Sequence, residues 1–381
     1  MVVTAALLAA SVIPAGCSGD GARSEAVGAA LVVYVGLPLH GENEAQGQAL
    51  QNGMKLALAE AKGRVGDHRV EAIYLDDTRG RRWDQAVAAD NARRASQDVA
   101  AIGYLGDLDS GATRVSLPIT NQAEMVQISP ASTAVDLTRA ARGEVPERLQ
   151  PSAKRTFARV VPADDVQAAA AASWAKQLGA KRVAVLSSGE AFGDVVTVAF
   201  EDAAREIELE LVKPGERPDV VYVGGSGPAG LRALRRAGEA APGARLIGSD
   251  ALLQELSRTG AAGLDRRLLL TSPFIDPQEL PPAGRRFAAR YAAQFGAQPD
   301  PAAAYGYEAV GLLIDAIRRA GADGNDRKAV LGEALDTKGR RSILGTYSID
   351  DFGDTTLRTM SGYRVSGGKP VFDRLIEAAG E

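Results

Sequence analysis

The sequence predicts an α/β protein made of two doubly wound parallel-sheet lobes. The chain has 381 residues, and a single hydrophobic core stops growing at roughly 250 to 300 residues, so two lobes are expected. From residue 30 onward, short aliphatic and β-branched runs alternate with longer runs of helical period. Such alternation is typical of parallel β-α-β units with helices on both faces of a sheet.

The first series of units opens with the predicted strand ALVVYVGLP and the predicted helix ALQNGMKLALAEA. The apolar residues of that helix lie on one face, because they recur at i, i+4, i+7, i+8 and i+11. They are Leu50, Met54, Ala57, Leu58 and Ala61. The further predicted strands VEAIYLDD, VAAIGYLG and MVQISPAST are separated by the helical runs WDQAVAADNARRASQD and SGATRVSLPITNQA.

A second series begins at FARVVPADD and repeats the same rhythm. Its predicted strands include KRVAVLSSG, IELELV, DVVYVGG, RLIGSD and LLLTSPF, and its helices include FGDVVTVAFEDAARE and GLRALRRAGEA. Two further helical runs follow, and the end of the chain, LGTYSIDDFGDTTLRTMSGYRVSGGKPVF, alternates with period two between glycine-rich turns. This last part is therefore predicted to be β.

The N-terminus resembles an export signal. The run MVVTAALLAASVIPAGC is too short to span a bilayer, which needs about 20 apolar residues, and it is closed by small residues. The pair Ala15-Gly16 before Cys17 resembles a bacterial lipobox, in which the cysteine is lipidated after cleavage. We therefore predict a signal peptide over residues 1–17, a flexible tether over 18–29 and an extracytoplasmic, membrane-anchored protein; alternatively, Cys17 is only a small residue of a discarded signal.

Composition argues against several classes of function. The net charge of -4 and the lack of a basic run argue against a nucleic-acid partner. The sequence has two histidines, His40 and His68, and one cysteine, Cys17. These are too few for a metal cage or for Ser-His or Cys-His catalysis. We expect no metal, no cofactor and no enzymatic activity.

One motif favours an enzyme instead. Gly225, Gly227 and Gly230 follow a predicted strand with the spacing G-x-G-x-x-G, and Asp250 lies about 20 residues further on, as in dinucleotide-binding proteins. A dinucleotide-dependent oxidoreductase is therefore an alternative hypothesis. The glycines have a simpler explanation, since glycine lets a strand turn sharply into a helix and exposes the amides of the helix start.

Four segments of the first half together resemble the leucine-isoleucine-valine-binding family, the type I solute-binding proteins of branched-chain amino acid ABC transporters. They are residues 36–61, 74–80, 102–133 and 160–194, and PDVVYVGG, GSDALL and LGTYSIDDFGD extend the resemblance over nearly the whole mature chain. The resemblance implies the type I periplasmic binding protein fold, with ligand in a cleft between two lobes joined by three crossovers. Lobe 1 would comprise residues 30–158 and 274–347, and lobe 2 residues 159–273 and 348–381.

The resemblance also implies which residues bind the ligand. An amino-acid carboxylate would be held by Ser110 in DLDSGAT and by Thr133 in the SPAST loop, which also contains Ser132. Its ammonium would meet the carbonyl of Ala131 and the carboxylate of Asp250. Alternatively, Ser110 and Asp250 only cap helices, and Thr133 is a turn hydroxyl.

Two further residues are predicted at the cleft. Phe192 stands where the family often has an aromatic residue against the ligand, although a core residue would look the same. Ser226 follows VYVGG, where relatives often place bulky aromatic residues, and predicts a wider cleft. In relatives a helix of about 20 residues precedes the strand matching DVVYV, whereas here only KPGERP intervenes.

The function implied by the resemblance is capture of a small amino acid or amide-like ligand for an ABC importer. The partners would be the ligand, the permease and the membrane that holds the lipid anchor, and the protein would be a monomer. A sensory domain of the same fold, which regulates a partner without transport, is the remaining alternative.

Overall fold

The computed structural model describes residues 24–139, 147–260 and 267–380. The strands are β1 Leu31–Leu37, β2 Arg64–Val65, β3 His68–Asp76, β4 Thr78–Arg79, β5 Arg82–Trp83, β6 Ala101–Leu105, β7 Val126–Ser129, β8 Phe157–Arg159, β9 Arg182–Ser187, β10 Glu210–Leu211, β11 Val220–Gly224, β12 Arg245–Gly248, β13 Leu268–Ser272, β14 Arg340–Ser342, β15 Gly345–Tyr347, β16 Thr359–Ser366 and β17 Lys369–Glu377. The α-helices are α1 Glu44–Glu60, α2 Gln85–Gln97, α3 Ser110–Gln122, α4 Asp164–Gln177, α5 Ala191–Glu206, α6 Gly227–Ala240, α7 Asp250–Thr259, α8 Pro282–Phe295, α9 Ala302–Ala320 and α10 Arg327–Leu335. The predicted signal peptide, Cys17 and most of the predicted tether lie outside the described residues.

Two twisted sheets form the framework. Sheet one has the order β2-β3-β1-β6-β7-β8 and is parallel apart from β2. Sheet two has the order β10-β9-β11-β12-β13-β16-β17, parallel as far as β13 and antiparallel beyond it. In both, the first strand of the series lies between its second and third, the doubly wound arrangement. The predicted fold class is confirmed.

The central strands are apolar because helices cover both faces of each sheet. All five residues of β6 are buried, and so are all five of β11. Strands buried on both faces read as continuous hydrophobic runs, which is what made these segments visible in the sequence. In β1, Tyr34 lies opposite Ile73 of β3 and Tyr104 of β6.

The chain passes between the two sheets three times. It leaves sheet one after β8 and enters α4, whose alanine-rich face packs in the core of sheet two. It returns after β13, because Phe274 and the helices α8 and α9 pack in the core of sheet one. After β15 it crosses again to reach β16 of sheet two. We call sheet one with its packed helices lobe 1, and sheet two with α4 to α7 lobe 2.

The short connection seen in the sequence of lobe 2 is real. Between β10 and β11 the chain forms only a single 3-10 turn, from Pro214 to Glu216. The two-residue length of β10 is shorter than the predicted strand IELELV, because Ile207 closes the end of α5. Lobe 2 therefore carries one helix fewer on this side of its sheet than a complete doubly wound lobe would.

Candidate cleft site

The candidate site lies where the carboxyl ends of strands from the two sheets face each other. In lobe 1 these ends lead into α3 and into the loop 129–135, and in lobe 2 they lead into α5, α6 and α7, next to the start of α4. The backbone N–H of Asp164 donates to the carbonyl oxygen of Thr133 at 2.9 Å and joins the two sides. Ligands of doubly wound sheets bind at this edge.

Buried hydrogen bonds fix the loop 129–135. The Ser129 hydroxyl accepts from the backbone N–H groups of Ala131, at 3.2 Å, and Ser132, at 2.8 Å. The Ser132 hydroxyl donates to the carbonyl oxygen of Asp107 at 2.9 Å. Since Asp107 follows β6, these bonds tie the loop to the neighbouring strand end. The Ala131 carbonyl receives no hydrogen bond from the described residues, and it remains available as an acceptor.

The fully buried Arg159 binds backbone carbonyl groups of the same loop. The guanidinium of Arg159 donates to the carbonyl oxygens of Ser132, at 3.1 Å, and Ala134, at 2.8 Å. Its charge is balanced by Asp354, whose carboxylate lies 2.7 Å from Nε. Because a buried ion pair keeps its geometry only when further hydrogen bonds satisfy it, this cluster holds the loop in one conformation.

Ser110 lies at the start of α3, beside the loop. Its hydroxyl accepts from the backbone N–H of Ala134 at 3.2 Å, which leaves the hydroxyl proton for another acceptor. The alternative that Ser110 caps the helix is wrong, because the N-cap is Asp109, whose carboxylate accepts from the backbone N–H of Gly111 at 2.7 Å. A carboxylate at this position is stabilised by the positive end of the helix dipole.

Two carboxyl groups of lobe 2 lie close enough to affect each other. Asp164, the first residue of α4, is 3% exposed, and burial together with the negative charge of Asp250 raises its pKa to about 7. Burial likewise raises the pKa of Asp250, and its Oδ1 atom is buried without a hydrogen-bond partner. The side chain of Gln167, 1% exposed, lies beside Asp250 and acts against the effect of burial on the pKa of that carboxyl group. A carboxyl group kept from water in this way gains most from a partner that donates hydrogen bonds to it.

Comparison with known families decides what kind of protein has this cleft. The family model described as periplasmic binding protein matches residues 34–374. The chain belongs to the periplasmic binding protein family. Its sheet order, its three crossings between lobes and its interlobe site agree with that assignment, and members of this family are extracytoplasmic binding proteins.

Two curated relatives match this periplasmic binding protein over most of their length. The Leu/Ile/Val-binding protein BraC3 of Rhizobium johnstonii is 27% identical over 368 residues, which cover 89% of this chain and 93% of the relative. A protein of Pseudomonas aeruginosa named amino acid binding protein is 26% identical over 345 residues, which cover 85% of this chain and 87% of the relative. Both are named as binding proteins rather than as enzymes.

Solved structures show the same fold. A leucine binding protein from Thermotoga maritima superposes with a TM-score of 0.70 at 24% identity, covering 91% of this chain and 99% of the other. A solute binding protein of R. palustris in complex with benzoate also superposes with a TM-score of 0.70, at 20% identity. The match covers 92% of this chain and 98% of the other. The fold alone therefore does not determine the ligand.

In this binding protein the G-x-G-x-x-G loop already holds a carboxylate of the chain. Glu190 Oε1 accepts from the backbone N–H of Ser226 at 2.5 Å and from its hydroxyl at 2.7 Å. The carboxylate thus occupies the anion position at the start of α6, where a dinucleotide-binding protein places the pyrophosphate. Gly225 and Gly230 serve packing, because a Cβ on Gly230 would lie 2.9 Å from the carbonyl carbon of Gly225, whereas Gly227 has a left-handed φ of 50°.

The other predicted residues have separate positions. Phe192, in the first turn of α5, is partly buried against the core of lobe 2. Asp250 is the first residue of α7, and the alternative that it caps this helix is wrong, because the N-cap is Ser249. Hydrogen bonds link Ser110, the loop 129–135 and Asp164, and the charge of Asp250 acts on Asp164. The ligand-binding roles of the predicted residues stay predictions.

Sequence reasoning missed Asp109, Asp164, Gln167 and Glu190. Each stands at or near a helix start, where an acidic or polar residue also serves local structure, so the residue type alone gave no signal. The pair Asp164-Asp165 at the end of the predicted segment FARVVPADD was the best available sign, since it lies close to a strand end at the cleft.

Two features are absent from the described residues. No helix in these ranges is long and apolar enough to cross a membrane. Within the same ranges, no three or more His, Cys, Asp or Glu side chains gather in a way that could hold a metal ion.

Proposed function

We propose that this chain is an extracytoplasmic receptor that closes its two lobes on a small amino acid or amide-like ligand and delivers it to the permease of an ABC importer. The observation that carries the proposal is the pair Asp164 and Asp250, beside the loop 129–135: Asp164 is buried, and Asp250 is half-buried with its Oδ1 atom fully buried. A ligand ammonium between them would offset the burial that raises the pKa of both groups, and the repulsion by Asp250 that adds to it at Asp164, and it would form charge-assisted hydrogen bonds.

The remaining roles follow from the same placement. The free carbonyl of Ala131 would accept from the ligand ammonium, and the hydroxyls of Ser110 and Thr133 would bind its second polar group. Gln46 of α1 and Gln254 of α7 already form a hydrogen bond of 2.7 Å across the cleft mouth. Closure of this kind buries the ligand and presents both lobes to the permease.

The names of the relatives support the ligand class in the proposal. The Rhizobium relative is named for leucine, isoleucine and valine, and the Pseudomonas relative for amino acids. For the division of the chain we propose 30–158 and 274–347 for lobe 1, and 159–273 and 348–381 for lobe 2. We further propose a monomer.

A thermal-shift panel tests the ligand class. The panel contains the standard amino acids, short amides, urea, NAD and FAD, each added to the purified mature chain. A ligand present at 100 times its dissociation constant stabilises the folded state by about 2.7 kcal/mol, which is readily detected. Stabilisation by an amino acid or amide is expected. Stabilisation by a dinucleotide and by no other compound would refute the receptor and favour the oxidoreductase.

Membrane attachment through Cys17 is a separate part of the proposal. Two lipid-anchoring signals or a larger hydrophobic segment are needed for stable anchoring, and a diacylated cysteine supplies two chains at once. Replacing Cys17 with serine in the native host should move the protein from the membrane fraction to the soluble fraction. Retention of the Cys17→Ser variant in the membrane fraction would contradict lipidation at this residue.

A further inference from the structure

Lobe 2 lacks a helix that lobe 1 has at the equivalent position. In lobe 1 the chain connects β3 to β6 through α2, a helix of 13 residues that packs on β1 and β6. In lobe 2 the equivalent connection, from β10 to β11, contains only the turn Pro214–Glu216. Because β9 is the first strand of lobe 2, as β1 is of lobe 1, the missing helix would lie over β9.

The side chains around this position are less buried than the rest of the lobe 2 core. The carboxyl half of β9, residues 185–187, is half-buried, whereas all five residues of β11 beside it are buried. Leu186 of β9, Val212 after β10 and Leu231 of α6 pack at the margin of one core cluster and stay half-buried. We call the surface between β9, the turn Pro214–Glu216 and α6 the lobe 2 groove. These three half-buried side chains are its apolar floor.

Exposed basic residues border the lobe 2 groove. They are Arg232 and Arg235 of α6, Lys213 before the turn and Arg217 after it. No ion pair joins any of them to another side chain in the part of the chain that the structure describes. Arg235 follows Leu231 by one helical turn, so both lie on the same side of α6. Exposed charges of this kind contribute little to folding stability, and here they are available to a partner.

Acidic residues near the groove do not cancel this charge. Glu210 lies 3.6 Å from a further basic residue, Arg182. The carboxylates of Glu216 and Asp219 accept from backbone N–H groups at 3.0 Å or less. Glu239, the single acidic residue of α6, lies in its last turn, beyond the arginines. The whole chain has a net charge of -4, so a basic border around an apolar floor favours a partner with the opposite charge and an apolar stripe.

We propose that the lobe 2 groove binds an acidic amphipathic helix of a partner protein, in the position that α2 has in lobe 1. The helix buries its apolar stripe on Leu186, Val212 and Leu231, and it places its carboxylates opposite Arg232 and Arg235. A helix as long as α2, with 13 residues, spans about 20 Å. Grooves that receive an amphipathic helix are a common mode of protein recognition. The inference goes beyond the proposed function, because it concerns a face of the lobe 2 sheet and not the ligand of the cleft.

Fluorescence anisotropy of labelled peptides tests the groove on the mature chain. The probe is a peptide of about 18 residues, since shorter isolated helices are marginal, made of glutamate, alanine and leucine with the leucines on one helical face. One control peptide has the same composition in scrambled order, and the other has lysine in place of glutamate. We expect the acidic amphipathic peptide to bind at least about tenfold more tightly than either control, because only it matches both the floor and the border. Equal binding of all three peptides, or no binding of the probe at roughly 1 mM, would overturn the inference.

Two pairs of substitutions separate the groove from general attraction to charge. Arg232→Gln combined with Arg235→Gln should weaken binding of the acidic peptide about fivefold or more and leave the urea-unfolding midpoint unchanged, because both side chains are exposed. The matched control is Arg285→Gln combined with Arg286→Gln, which removes two exposed arginines of α8 in lobe 1. The control should bind the peptide like the parent chain. An equal loss in both pairs, or no loss in the groove pair, would overturn the assignment of the groove.

Disulfide trapping locates the bound peptide independently of its affinity. The chain carries Cys17→Ser, so that a single cysteine remains at the tested position, and the peptide carries one cysteine in its leucine stripe. Val212→Cys places the thiol on the floor of the groove. Val198→Cys is the control, because Val198 is 58% exposed on α5, which packs in the other core cluster of lobe 2. We expect trapping to be at least about fivefold faster at Val212→Cys, and equal rates would overturn the location.

Two other occupants would give different results. Vesicles of phosphatidylglycerol and phosphatidylcholine that bind the parent chain but not the Arg232→Gln, Arg235→Gln variant, with no preference for the amphipathic peptide, would assign the groove to lipid headgroups. Self-association in sedimentation velocity that the same variant abolishes would assign the groove to a second copy of the chain. Either result would overturn the binding of a partner helix.

Discussion

Replacing Asp164 with asparagine should stabilise the ligand-free protein and at the same time weaken ligand binding. Asp164 is 3% exposed, and burial with the charge of Asp250 raises its pKa to about 7. In an unfolded chain an aspartate has a pKa near 3.9. Between about pH 4 and 7 the folded protein therefore holds a proton that the unfolded chain has lost, so stability falls as the pH rises through this range.

The magnitude follows from the size of this pKa shift. About three pKa units at 1.36 kcal/mol each correspond to a loss of about 4 kcal/mol at pH 8, when the carboxylate must be ionised in the folded protein. At pH 5 the same relation gives a smaller loss, of about 1 to 2 kcal/mol. Asparagine keeps the shape and loses the charge. The stabilising effect of Asp164→Asn should therefore grow by about 2 to 3 kcal/mol between pH 5 and pH 8.

Urea unfolding of the ligand-free protein at both pH values, followed by tryptophan fluorescence, measures this difference. Trp174 lies on the same helix as Asp164 and is fully buried in the core of lobe 2. Asp202→Asn is the matched control, since Asp202 is an aspartate of the same lobe with a side chain 71% exposed. If Asp164→Asn gains no more stability at pH 8 than at pH 5, the electrostatic account of this carboxyl group is wrong.

The same variant has a second, opposite effect on binding. Loss of a charged hydrogen bond typically costs about 1.5 to 3 kcal/mol, which corresponds to a roughly 10- to 150-fold weaker affinity for a ligand that carries an ammonium. In the parent protein such a ligand should bind more tightly as the pH rises toward 7, because only the ionised Asp164 attracts it. Affinity that is independent of pH and unchanged in the variant would remove Asp164 from the binding site.

Three further predictions concern the framework of the site. Gly230→Ala should destabilise lobe 2 by about 1 to 3 kcal/mol in urea unfolding, because the new methyl group would lie 2.9 Å from the carbonyl carbon of Gly225; an unchanged midpoint would refute this close approach. Arg159→Met should cost about 3 kcal/mol, since it leaves the buried Asp354 with Arg139 as its remaining ion-pair partner, at 3.2 Å, and adding Asp354→Leu should recover part of the loss. Gln254→Ala should weaken ligand affinity only about twofold, because the lost hydrogen bond to α1 is exposed, and a loss above tenfold would mean that this contact does more than hold the closed state.

Much of the fold could be predicted from the sequence. The apolar runs that became β1, β6 and β11 are buried on both faces, and a run of this kind has few interpretations other than a central parallel strand. The order of these runs then fixed the doubly wound topology. The extent of the short elements was less predictable, because the two residues of β10 depend on pairing with β9 and not on their own pattern.

The site was predictable only in part. Ser110 and the loop 129–135 follow strand ends, so their position at the cleft follows from topology once the strands are known. The interaction of Asp164 with Asp250 is different, because it joins the starts of two helices that are far apart in sequence. Neither residue has a local pattern that distinguishes it from an ordinary helix-start acid. Their mutual distance, and hence their shared effect on pKa, exists only in the folded chain.

The G-x-G-x-x-G loop shows that a local motif can predict a backbone shape without determining what binds there. The glycines indicate a strand that turns sharply into a helix. The close approach of Gly230 to Gly225 requires glycine at position 230, whatever the helix start binds. What binds there depends on Glu190, which reaches Ser226 from the next strand end, 36 residues away in sequence. The carboxylate of Glu190 at the start of α6 satisfies the backbone N–H of Ser226 and repels a phosphate. For a sequence with this fingerprint, an acidic residue at the end of the adjacent strand is therefore an argument against dinucleotide binding, and in this chain that residue also adds to the negative charge of the cleft.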